Sequence, residues 1–164
     1  KFLLFSISIV FITVLSIYFL IFSQKSTKFS TIISGMIVPH HNLVKDRREK
    51  LFSEVKNVVK EPKTVILLSP NHFETGQALV QITSQTWDTG EGKIQTSKYV
   101  AEQLSKVGVK NEPTSFIYEH GIKLILGDIK KTFPNSEIVT LIFKRNTTFE
   151  QIQKIQKALK SPKL

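Results

Sequence analysis

The chain contains no cysteine. That absence excludes a disulfide framework and any cysteine-based zinc site within its 164 residues. Acidic residues are scarce: 13 Asp+Glu against 23 Lys+Arg leave a formal charge of +10. Phosphate-cradling loops are missing too, because Gly90 and Gly92 fit neither G-x-x-x-x-G-K nor G-x-G-x-x-G. No G-x-S-x-G elbow occurs, so a Ser-His-Asp hydrolase lacks its nucleophile turn. Repeats and low-complexity tracts are absent, which excludes solenoid and collagen-like classes. The length allows one domain rather than two.

The excess of positive charge raises a nucleic-acid reading. Its distribution argues against one. Arg47, Arg48, Lys50 and Lys56 share one segment with Glu49 and Glu54, and the remaining lysines are spread along the chain. There is no RNA-binding aromatic signature and no helix-turn-helix pattern, so no nucleic-acid partner is expected.

What is present is concentrated at the start. Residues 2–22 carry no charge, and only Ser6, Ser8, Thr13 and Ser16 interrupt the apolar run. As a helix, such a run is about 31 Å long, against a bilayer core of about 30 Å. It is longer than a signal-peptide core, and no small-residue cleavage pattern follows it. Residues 2–22 are therefore expected to form a single-pass transmembrane helix that attaches the protein to a membrane. Residues 23–30 read as a linker and 31–164 as one α/β domain. Lys25 and Lys28 favour a cytoplasmic domain by the positive-inside rule. A signal anchor commonly leaves the following domain outside the cytoplasm, and the extracytoplasmic placement is the expectation here.

Within the domain, short apolar runs alternate with helical patterns. Strands are expected at 32–38, 64–68, 78–84 and 138–143. Helices are expected at 46–60 (Asp46 as N-cap), 97–107 (Gly108 closing it), 119–132 and 147–159. Residues 87–93, with Trp87, Gly90 and Gly92, read as a loop, and Trp87 as a packing residue. The alternation predicts an α/β fold, a mainly parallel sheet with helices on both faces. In such sheets sites gather at the carboxyl ends of the strands.

The four histidines follow that rule. His40, His41 and His72 fall in turns after predicted strands, and His120 opens a predicted helix. Imidazole is the commonest neutral metal ligand and titrates near neutrality. Several from separate elements can meet at one point, at bond lengths of about 2.0–2.2 Å. The plainer alternative is a set of polar turn residues, each with one hydrogen bond. Adjacent side chains diverge, so at most one of His40 and His41 is expected to be a ligand.

Three segments carry a resemblance. Gly35–His41 (Gly-Met-Ile-Val-Pro-His-His) resembles the I-x-P-H-A-G-Y segment of the Memo-like family, also called AmmeMemoRadiSam system protein B. Val65–His72 resembles that family's hydrophobic strand followed by G-P-S/N-H. Glu119–Leu124 resembles its E-H-S-I-E-x-Q-L-P segment. The three come in the family's order with similar spacing.

The resemblance implies a fold like that of the class III extradiol dioxygenases, which use non-haem iron. It places His40 and His72 on the two metal histidines. It places His120 at the pocket as a catalytic acid/base or substrate contact, with Glu119 beside it as an orienting carboxylate. The implied cofactor is a divalent transition metal, iron first, with copper or zinc as alternatives. The implied activity is redox or dioxygenase-like chemistry on an unidentified small molecule or modified group. The alternative is a non-enzymatic binding module with a degenerate pocket.

Departures are visible as well. His41-Asn42-Leu43 replaces Ala-Gly-Tyr, Phe73 stands where a second histidine is common, and Gly121 and Lys123 replace Ser and Glu. The family continues past the point matching Leu164, so a C-terminally truncated domain and a third ligand further along are expected.

Overall fold

The computed structural model describes residues 35–160. The predicted transmembrane segment, the linker and the first part of the strand predicted over 32–38 lie outside the described residues. Among the described residues, no helix is long and apolar enough to cross a membrane.

The elements run in the order α1 (Lys45–Val58), β1 (Thr64–Pro70), β2 (Val80–Ile82), β3 (Trp87–Asp88), β4 (Lys93–Ile94), α2 (Lys98–Ser105), β5 (Lys110–Asn111), α3 (His120–Thr132), β6 (Glu137–Phe143) and α4 (Phe149–Leu159). Short 3₁₀ turns precede α1 and α3, at Asn42–Val44 and Pro113–Phe116.

Four strands form one sheet in the order β1-β6-β2-β5. β1 runs parallel to β6, from Thr64 opposite Glu137 to Pro70 opposite Phe143. β5 runs parallel to β2. β2 departs from the expected pattern and is antiparallel to β6, with Val80 opposite Phe143. The sheet is therefore mixed, though mostly parallel. The cause is the connection after β1. Residues 71–79 hold no helix, so the chain recrosses β6 at the same carboxyl end and enters β2 in reverse. A parallel return needs a longer crossover, usually helical.

The central strand β6 shows why the sheet is covered on both faces. Its burial is nearly continuous, as expected for a strand between two helical layers. Ile138 and Ile142 pack with Phe52 of α1 and with Ile122, Ile125, Leu126 and Ile129 of α3. Val139 and Leu141 point the other way, towards Val100 and Leu104 of α2 and Ile155 of α4. Each fully buried aliphatic side chain contributes roughly 1.5–3 kcal/mol.

Other expectations need correction. Residues 35–38 form no strand, and Ile37 is 98% exposed, although Val38 still packs on the core. Asp46 lies in the first turn of α1, while the N-cap is Val44. Residues 87–93 are not a plain loop. β3 and β4 pair antiparallel around Gly90 and Gly92, both at positive φ. Trp87 does pack as expected: it is buried edge-on to Phe116, with ring centroids 6.1 Å apart. The last helix starts at Phe149 behind Thr148, whose side chain and Gln151 form a reciprocal capping box.

Candidate metal centre

β1 delivers the first histidine. After Pro70 the chain turns sharply, and the turn is held by Asn71. Its amide donates to Phe143 O (2.8 Å), and its buried side chain bonds Thr75 O and Thr75 N (2.8 and 3.2 Å). His72 is thereby fixed at the carboxyl end of the sheet.

Glu119, the N-cap of α3, fixes it further. This carboxylate is fully buried. It accepts hydrogen bonds from Gly121 N (2.9 Å), from His72 N (2.9 Å) and from the His72 ring at Nδ1 (2.7 Å). With the carboxylate as acceptor, Nδ1 is the donor, which leaves Nε2 as the ring nitrogen open to a metal. A carboxylate behind a histidine is the usual device for setting the tautomer of a metal ligand. The expectation that Glu119 orients its neighbour His120 is thus corrected: the ring its side chain bonds is that of His72, and its other partners are the amides of His72 and Gly121.

α3 presents His120 at its first position. Its ring lies 4.2 Å from that of His72, centroid to centroid. Close approach of the helix start to β1 depends on Gly121. A Cβ there would overlap Ser69 Oγ and come within 3.0 Å of His72 Cε1.

His40 arrives from the irregular segment before the first 3₁₀ turn. Its ring centroid is 5.0 Å from those of both His72 and His120. Burial holds its imidazole below the ordinary value of 6.5; the His41, His72 and His120 rings push the same way, and Glu119 opposes them. A neutral His40 with an available lone pair is the ligand-competent form.

The structure therefore brings His40, His72 and His120 together, each offering a nitrogen within 4.8 Å of the others. His41 stays outside this set, as expected for the neighbour of a ligand. Three imidazole nitrogens suit zinc, copper or iron rather than magnesium or calcium. Phe73 lays its ring against His120 at 5.8 Å, in an edge arrangement. A cleft of about 510 Å³ begins two residues beyond His72 and is lined by Glu74, Gln77, Leu79, Lys144, Arg145 and Asn146.

Sequence reasoning missed Arg48 and Asp128, a buried pair joined by Arg48 Nε and Asp128 Oδ2 at 2.5 Å. A signal existed. Arg48 extends the inward stripe of Phe52 by one turn, and Asp128 lies on the stripe of Ile122, Ile125 and Ile129. Opposite charges on two apolar stripes point to a buried pair.

The sequence model of the Memo family, described as Memo-like protein, matches residues 15–163. The chain belongs to the Memo family. Among similar curated proteins is a MEMO1 family protein from Caldivirga maquilingensis, 32% identical over 120 residues, covering 70% of this chain and 42% of that protein. Another, from Pyrobaculum arsenaticum, is 26% identical over 117 residues, covering 69% and 41%. A third, from Methanosarcina barkeri, is 30% identical over 101 residues, covering 62% and 37%. This Memo-family chain thus spans less than half the length of these relatives. No solved structure matches it.

Proposed function

We propose that this Memo-family chain is a membrane-tethered metal-binding domain whose centre is formed by His40, His72 and His120. The observation that carries the reading is the convergence of these three nitrogens from three separate segments. Glu119 behind His72 and the lowered pKa of His40 support it. Iron is the first choice of metal, with copper and zinc as alternatives. When bound, the ion would supply Lewis-acid or redox chemistry to a small molecule or modified group. The chain's own residues hold the geometry. Glu119 keeps the His72 proton on Nδ1, Asn71 fixes the turn that carries His72, and Phe73 screens one side of His120. His120 passes in this reading from proton carrier to third ligand. The apolar run 2–22 would carry the domain on the outer side of a membrane, an arrangement tested by protease accessibility in intact vesicles.

Elemental analysis of the purified full chain tests the centre. Near-stoichiometric metal is expected, lost in His40→Ala, His72→Ala and His120→Ala. A folded protein without metal would overturn the reading. The second reading, a binding module without catalysis, is favoured by exposure: the His72 side chain is 26% exposed and Phe73 53%. Metal-dependent oxygen consumption by the loaded protein separates the two.

A further inference from the structure

Arg48 sits in the first turns of α1, and its side chain is 2% exposed. Its guanidinium does more than neutralise Asp128. Nη1 donates to the carbonyls of Pro39 (3.4 Å) and His41 (3.2 Å), the residues on either side of His40. Nε donates to Asp128. Asp128 belongs to α3, two turns along from His120. One side chain therefore joins the backbone flanking His40 to the helix that begins with His120.

Residues 35–41 form no strand, so sheet bonding does not fix His40. The grip on the carbonyls of Pro39 and His41 takes the place of a sheet ladder. A lysine could neutralise Asp128, but it lacks the planar fork that reaches several acceptors at once.

We infer that Arg48 is a positioning residue for the metal centre: it sets the placement of His40 relative to His120, with Asp128 as its anchor. The inference rests on the metal-binding reading proposed above, and its test separates the two. Loss of a group that orients a metal ligand from outside the first coordination sphere typically lowers metal affinity 10–100-fold.

The probe is Co²⁺, titrated into the full chain in mild detergent and followed by its visible absorption. Arg48→Met/Asp128→Leu removes both charges together and leaves neither buried alone. This double variant is expected to unfold in a single cooperative transition and to bind Co²⁺ at least tenfold more weakly than the wild type. Adding His40→Ala to it should cost little more, because His40 is already displaced. Wild-type affinity in the folded double variant would overturn the inference.

Should that variant not fold, Arg48→Lys decides. It keeps the charge beside Asp128 and loses the fork. A tenfold loss of affinity supports the inference, and unchanged affinity overturns it. If the wild type itself binds no Co²⁺, the metal reading fails, and amide exchange over residues 40–44 judges the brace alone. Faster exchange in the folded variant, or in Arg48→Lys, upholds it, and unchanged exchange overturns it.

Discussion

On one face of the sheet, α2 and α4 cover Val139 and Leu141, and every buried member of that cluster is aliphatic. On the other face, α1 and α3 combine Phe52, Ile122 and Ile125 with three buried ionisable residues, Arg48, Asp128 and Glu119. The aliphatic face needs only volume and pattern. The charged face places buried polar groups where carbonyls and a histidine ring must be held. Charges taken out of water are costly unless paired and hydrogen-bonded, and each of these is. Arg48 has Asp128 and two carbonyls; Glu119 has two amides and an imidazole. Both faces bury an apolar cluster, and the charged one in addition holds geometry.

Substitutions on the two faces should therefore differ in kind. Asp128→Ala is expected to have the largest effect on stability, a loss of about 3–5 kcal/mol, because Arg48 is left buried without its counter-charge. Urea denaturation measures it, and a loss below 1 kcal/mol would show that water reaches the pair. Leu104→Ala on the aliphatic face should cost about 2–5 kcal/mol from lost transfer energy and a residual cavity. Its affinity for Co²⁺ should nonetheless stay at the wild-type value. A parallel fall in affinity would break the division between the faces.

Glu119→Gln keeps the shape of the N-cap and removes the anionic acceptor behind His72. Metal affinity should fall about 10–100-fold, and stability by about 1–3 kcal/mol, because the new amide NH2 faces an N–H donor where a carboxylate oxygen accepted. Smallest is Thr148→Ala, which opens the capping box of α4 and should cost about 1 kcal/mol without touching metal binding.

The sequence was most legible where one residue type carries the message alone. The apolar patterns of 119–132 and 138–143 located α3 and β6 to within a residue or two, because α3 buries one regular stripe and β6 is buried almost throughout. Three histidines at element boundaries pointed to a shared site, and the motif resemblance named the family. Reading failed where the decisive partner is distant in sequence. The run at 32–38 has the composition of a strand, yet its described part, 35–38, joins no sheet, and Arg48 holds the carbonyls of Pro39 and His41 just beyond it. The reversed direction of β2 follows from a connection too short for a helical crossover, a property of the path and not of the strand's own residues. Glu119 stands next to His120 in sequence but serves His72, 47 residues away.

Ser69 and Gly121 carry a different kind of consequence. A side chain at 121 would run into Ser69 Oγ, and the resembling family motifs hold glycine and serine at these positions in the opposite arrangement. The two sites thus share one allotment of space. The two positions are sterically coupled: serine at both places meets a collision beside His72, whereas glycine at both places leaves only a small void. Gly121→Ser alone should therefore disturb the turn that carries His72, and adding Ser69→Gly should relieve it.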